Sequence, residues 1–223
     1  VGSQVFGEDV YQRTLDIMVP FLAQIRDETG VTLSDLNLGG GYGVRYTAED
    51  EAIDIPARLA ELAAHLKEET ERLGLPMPRF LMEPGRSIVA DAGMTLYTVG
   101  SVKRIPGYKQ YAAVDGGMTD NPRYALYQSR YTVYHAHKSG SLERFDVVGR
   151  CCESGDIIQP GVELPGDTCR GDILAVCTTG AYNYSMASNY NRLPRPAVVM
   201  LTPSRIYEAV RRETFADLTG LDL

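Results

Sequence analysis

The sequence predicts an α/β segment followed by an all-β segment. Up to about residue 90, apolar positions recur at helical spacing between short apolar runs that lead into glycine-bearing loops. Beyond about residue 92, short β-branched and aromatic runs are separated by Pro-Gly and Ser-Gly turns. This change of pattern divides the chain into 1–91 and 92–223. The second part is expected to be an antiparallel β barrel or sandwich with a C-terminal helix.

The elements follow in order. Residues 7–29 place Val10, Leu15, Met18, Leu22 and Ile25 on one helical stripe, with a kink expected at Pro20 and a stop at Gly30. "LSDLNL" (33–38) reads as a short strand running into Gly39–Gly41. A second helix is capped by Asp54, has Pro56 in its first turn, carries Ile55, Leu59, Leu62, Leu66 and Leu73 on one stripe, and ends at Gly74. Phe80–Met82 reads as a buried strand ahead of the turn "EPGRS". Parallel strands with glycine-rich loops at their C-terminal ends belong to α/β barrels and open α/β sheets, which carry function on those loops. After residue 92, "TLYTVGSVKR", "QYAAVDGG", "YTVYHAH", "RFDVVGR", "DILAVCT" and "PAVVML" read as strands, and "SRIYEAVRRETFADLTGLDL" (204–223) as an amphipathic helix.

Composition narrows the function classes. The net charge of −7 disfavours nucleic acid and anionic membranes as partners. No apolar run approaches the roughly 20 residues of a membrane span. The chain opens on Val1 with no export signal, so it is expected to begin within a longer protein or to have been processed. Cys151, Cys152, Cys169 and Cys177 follow neither a redox nor a zinc spacing, which points to reduced thiols in a cytoplasm. His65 reads as solvated and Asp115 as a turn former. His135 and His137 lack a third ligand nearby, so no metal is expected.

The loops carry the chemistry. Backbone without Cβ atoms brings several N–H groups to one anion, so Gly39, Gly40 and Gly41 read as a phosphate cradle. The spacing fits neither the dinucleotide fingerprint nor a P-loop. If the two early strands are parallel neighbours, this cradle lies beside Glu83, Gly85 and Arg86. That suits a phosphorylated heteroaromatic cofactor, with a buried carboxylate keeping a ring nitrogen protonated. Three further loops stand out: "DGGMTDNPRYALY" (115–127), with Arg123 and Tyr127 four apart; "CCESGD" (151–156); and "GAYNYSMASNYN" (180–191).

In this order the five loops resemble those of the fold-type III pyridoxal-phosphate decarboxylases, within them the branch that converts meso-2,6-diaminopimelate to L-lysine and CO2. The likeness runs from "VGSQ" (1–4) to "PRPAVVML" (194–201). It implies the C-terminal portion of a cofactor-binding (β/α)8 barrel followed by the β domain, in a homodimer with shared active sites. It implies pyridoxal 5'-phosphate held by Gly39, Gly40, Gly41, Gly85 and Arg86, with Glu83 on the pyridinium nitrogen. Tyr182 lies near phosphate and substrate. Arg86, Arg123 and Tyr127 would bind substrate, the latter two its distal carboxylate. Cys152 would act as proton donor and Glu153 would hold an ammonium group, both reaching across the dimer interface.

The chain also departs from that pattern. The family's Schiff-base lysine precedes the glycine loop, and the lysines here are Lys67, Lys103, Lys109 and Lys138. The stacking histidine before "GSQ" is absent, and at most three barrel strands are expected: one ending at "VGSQ", 33–38 and 79–83. The chain therefore reads as the C-terminal half of a longer enzyme, inactive alone. Other readings are a decarboxylase of another basic amino acid or of carboxynorspermidine, and a non-catalytic dimerising homologue.

Overall fold

A computed structural model describes residues 1–7 and 9–223. Glu8, inside the helix expected over 7–29, lies outside the described residues. The chain separates into two units: Val1–Arg45 with Glu49–Ala90, and Tyr46–Ala48 with Asp91–Leu223.

In the first unit, helix α1 (Asp9–Thr29) runs through Pro20 as one element and buries Tyr11, Leu15, Val19 and Leu22. Strand β1 (Asp35–Asn37) leads by way of the glycine loop to α2 (Ile55–Arg72). The Asp54 side chain accepts from the Ala57 N–H at 3.0 Å, as an N-cap should. Strand β2 (Arg79–Leu81) returns parallel to β1, with Leu36 opposite Phe80 and Asn37 opposite Leu81. A parallel pair needs such a crossover, and α2 supplies it. The one-turn helix α3 (Gly85–Val89) follows. The core joins the α1 stripe to Leu36, Leu38, Tyr42, Leu62 and Leu66. Residues 1–4, where a strand was expected to end, carry no strand themselves: Gln4 has φ +59, and its side-chain amide bonds both the Val44 carbonyl (2.7 Å) and the Val44 N–H (3.1 Å). Val5 then makes an isolated parallel bridge to Tyr42.

The second unit is built on six strands: β3 (Met94–Arg104), β4 (Gln110–Val114), β5 (Val133–His135), β6 (Leu142–Val148), β7 (Ile157–Pro165) and β8 (Ile173–Cys177), with the one-turn helix α4 (Arg123–Tyr127) between β4 and β5. Their order in the sheet is β5-β8-β3-β4-β6-β7. β3 pairs with β8 through its first half and with β4 through its second, and changes partner beside a bulge between Val99 and Ser101. Alternate residues face inward: Tyr97, Val99, Ala112, Val114, Phe145, Val147, Leu174 and Val176 are buried.

Two expectations need correction, and one strand went unread. The sheet is mixed, because β4 and β6 are parallel; the connection 115–141 is long enough to cross over and deposits β5 elsewhere in the sheet. β7 forms although Pro160 and Gly161 sit inside it. It is an edge strand, where a missing N–H is tolerated, and Gly161 at φ +67 leaves room for the Arg144 guanidinium. The tail is not one helix. β9 (Val198–Leu201) pairs antiparallel with β10 (Ile206–Val210), around a turn in which Thr202 Oγ1 accepts from the Arg205 N–H at 3.1 Å. Only α5 (Phe215–Thr219) is helical, started by a reciprocal Thr214–Asp217 capping box. No helix among the described residues is long and apolar enough to cross a membrane.

Candidate functional site

The candidate residues fall into one loop cluster in each unit. In the first, the loops after β1 and β2 lie side by side. The Leu38 N–H donates to the Leu81 carbonyl at 3.1 Å, and the Glu83 N–H donates to the Gly39 carbonyl at 2.8 Å. Asn37 ties the two loops further. Its Oδ1 accepts from the Gly39 N–H at 2.7 Å, and its Nδ2 donates to Glu83 Oε1 at 2.6 Å. Gly40 packs on the backbone of Glu83, and its carbonyl accepts from the Tyr11 hydroxyl at 3.0 Å. Gly41, at φ +108, packs on Gly2. The N–H groups of Gly40 and Gly41 have no acceptor among the described residues.

Arg86 is buried at the start of α3, where its Nη2 donates to Ser3 Oγ at 2.6 Å, and the Gly85 N–H donates to the Glu83 carbonyl at 2.8 Å. A cradle closed to side chains at Gly40 and Gly41, two uncommitted amides and a buried guanidinium in the next loop fit a phosphate group. Glu83 departs from the expected burial: it is exposed and aimed by Asn37 rather than enclosed. Among the described residues of this unit, no lysine lies on the glycine or EPGRS loop. Lys67, the unit's lysine, lies on α2 against Glu71.

In the second unit three loops are tied together, two of them through Asp156. Its Oδ1 accepts from the Met118 N–H and its Oδ2 from the Cys151 N–H, both at 2.6 Å. The Arg150 N–H donates to the Gly116 carbonyl at 3.1 Å, and the Ser188 N–H to the Thr119 carbonyl at 2.8 Å. The 115–127, 151–156 and 180–191 segments thus form one structure.

Arg123 heads α4 and is buried. Its guanidinium carbon lies 5.0 Å from the Tyr127 ring and 5.2 Å from the Tyr182 ring. Its Nε has no acceptor, and no carboxylate pairs with it among the described residues. Tyr182 holds φ +66 in a loop pinned by the Thr179 N–H on the Gly93 carbonyl at 3.0 Å. Behind it, burial pushes the Tyr131 hydroxyl up to about 12, so it stays protonated.

Cys152 is exposed, and its N–H donates to Asn191 Oδ1 at 2.9 Å. The Glu153 carboxylate accepts from the Gly155 N–H at 3.1 Å and Ser154 Oγ at 3.2 Å, bonds that hold it below the usual carboxylate range and keep it charged. The four cysteines are free. Asn37, Asp156 and Asn191 escaped the reading of the sequence. Each works through a backbone N–H, and only their places inside quoted loops, or next to one, hinted at it.

Residues 10–180 match the family described as pyridoxal-dependent decarboxylase, C-terminal sheet domain. The chain is 45% identical to a diaminopimelate decarboxylase of Bacillus subtilis over 100% of its own length and 51% of that protein. It is 39% identical to a diaminopimelate decarboxylase of Staphylococcus aureus over 98% and 51% of the two chains. The diaminopimelate decarboxylase of M. jannaschii, crystallised with L-lysine, superposes with a TM-score of 0.90 at 30% identity, covering 100% of this chain and 50% of that one. The chain spans about half the length of the curated relatives it matches.

Proposed function

We propose, from the premise that the chain belongs to the pyridoxal-dependent decarboxylase family, that it supplies the C-terminal half of a diaminopimelate decarboxylase. In this reading residues 1–91 end a cofactor-binding (β/α)8 barrel, residues 92–223 form the sheet domain, and the whole works as a cytoplasmic homodimer.

Residues 39–41, Gly85 and Arg86 bind the phosphate of pyridoxal 5'-phosphate. Glu83 keeps the ring nitrogen protonated. When bound, the cofactor supplies an electron-withdrawing ring that takes the electron pair left by departing CO2. The chain's own residues set substrate and proton. Arg123 and Tyr127, beside Tyr182, receive the substrate's distal carboxylate, and Glu153 holds its distal ammonium. Cys152 delivers a proton to the carbon that has lost CO2. Cys152 and Glu153 serve the site of a second copy. The covalent anchor for the cofactor comes from the other half of the protein.

The observation that carries this reading is Arg123. A buried guanidinium walled by two tyrosine rings, with no carboxylate partner among the described residues, is a receptor waiting for an anion. A substrate with only a distal amine, such as ornithine, would leave that charge unmatched.

The test is CO2 release by the full-length protein from meso-diaminopimelate, ornithine and lysine. The expected result is L-lysine formed from meso-diaminopimelate, at a kcat/KM at least about 100-fold above the others. A preference for ornithine, or no release from any of them, overturns the reading.

A further inference from the structure

Asp156 closes the CESGD segment, and nothing above gives it a part in the chemistry. Its side chain is 4% exposed and has no cationic partner among the described residues. A carboxylate so placed is costly unless its oxygens are satisfied. Here the satisfaction comes from the backbone of two different loops, the Met118 N–H on Oδ1 and the Cys151 N–H on Oδ2, each at 2.6 Å. Two glycines make the space. A Cβ on Gly149 would lie 2.2 Å from Oδ2, and one on Gly117 would lie 2.5 Å from Oδ1. The residue's own backbone is bound on both sides. Its N–H donates to the Glu153 carbonyl at 3.2 Å, and its carbonyl accepts from the Gly149 N–H at 2.9 Å.

We propose that Asp156 is a positioning residue for the decarboxylation site: its carboxylate, fitted between Gly117 and Gly149, fixes the turn that presents Cys152 and Glu153 and keeps the adjacent Cys151 thiol out of the chemistry. This deepens the decarboxylase reading and rests on it. The turn offers two neighbouring thiols, of which one must meet the substrate. Asp156 sorts them. By taking the Cys151 N–H inward it leaves Cys152 as the exposed member, whose own N–H is held by Asn191. Burial first, and then the Asp156 charge, push the Cys151 thiol up to about 11, so it stays protonated and unreactive. The same carboxylate joins this turn to the 117–118 loop that leads into α4 and Arg123, so the proton donor and the anion receptor share one fixed point.

The conservative change is Asp156→Asn. An amide keeps the size but turns one acceptor into a donor, so one of the two backbone N–H groups faces another donor. In the full-length protein, alkylation by iodoacetamide at mildly alkaline pH, read by tandem mass spectrometry, gives the ratio of Cys151 to Cys152 modification without any turnover. The expected ratio rises about fivefold or more, and kcat falls about tenfold or more. Gly149→Ala displaces the carboxylate without removing it and is expected to shift the ratio in the same direction, which keeps the test open if Asp156→Asn does not fold. A ratio within about twofold of wild type in the variants that fold overturns the proposal, whatever kcat does. The two readings fail separately. A wild-type protein that releases no CO2 sinks the decarboxylase assignment, whereas an unmoved labelling ratio sinks the role of Asp156.

Discussion

Gly40 and Glu83 meet backbone to backbone: a Cβ on Gly40 would lie 2.0 Å from the Glu83 carbonyl oxygen. Neither partner is a flexible side chain that could swing aside. Gly40→Ala must therefore part the two loops, at a cost of about 1–3 kcal/mol, and the cradle goes with them. Gly39 makes the control. It has φ +72 but nothing within 4 Å of its ideal Cβ, so Gly39→Ala meets backbone strain alone, about 1 kcal/mol. Titration of the full-length variants with pyridoxal 5'-phosphate should show affinity falling about tenfold or more for Gly40→Ala, and markedly less for Gly39→Ala.

What the sequence disclosed divides along physical lines. The α1 and α2 stripes and the alternation of β3, β4 and β8 were legible because side-chain burial follows local period. The neighbouring glycine and EPGRS loops were legible because parallel strands end on the same side. β7 was hidden by Pro160 and Gly161, which punctuate a sequence yet are tolerated at an edge. β10 was taken for helix because Glu208 within it and Arg211 and Arg212 just after it suit a solvated helical face, while the pairing with β9 that settles the matter is non-local. The parallel β4–β6 contact depends on where a 27-residue connection travels, which no local pattern records. Asp156 and Asn191 were unread because their side chains bond main-chain amides, which look alike at every position, and Asn37 because it does so and reaches a residue 46 positions away.

Arg123 should govern substrate choice more than rate. Arg123→Lys keeps a positive charge but loses the planar fork and its seat between Tyr127 and Tyr182. The kcat/KM for meso-diaminopimelate is expected to fall about 30-fold or more, chiefly through KM. Any trace activity on ornithine should change far less, since that substrate brings no distal carboxylate. Steady-state kinetics on both substrates checks the ratio.

Asp172 gives the second unit a pH-dependent clamp. Burial pushes its carboxyl up, but hydrogen bonds from Lys138 Nζ (2.7 Å) and the Cys169 N–H (2.8 Å), together with His135, outweigh this and hold it well below the usual carboxylate range. A carboxyl depressed by folding contributes stability above its unfolded value of about 3.9, and that contribution fades as pH falls below it. Asp172→Asn should lower stability at pH 7 by about 1 kcal/mol or more, or about 2–4 °C for each kcal/mol. The gap from wild type should close as pH drops below about 4. Thermal unfolding of both proteins across that range checks the sign: a gap that widens towards acid contradicts the clamp.

In the proposed reading, Cys152 and Glu153 are neighbours with separable tasks. Cys152 stands exposed with its N–H on Asn191, so its thiol is free to approach a reacting carbon. A serine there keeps size and hydrogen bonding but is a far weaker acid, so Cys152→Ser should slow proton delivery and lower kcat about 100-fold while KM moves little. Glu153 is held charged by Gly155 and Ser154 and points no proton at the reaction. Glu153→Gln removes the charge proposed to meet the substrate ammonium and should raise KM about tenfold or more, with a smaller effect on kcat. If the thiol rather than the carboxylate delivers the proton, only the serine variant will show a kcat whose deficit tracks the acidity of the residue at 152. Equal effects of the two substitutions on kcat would mean that the turn acts as a single binding element and that the proton comes from elsewhere.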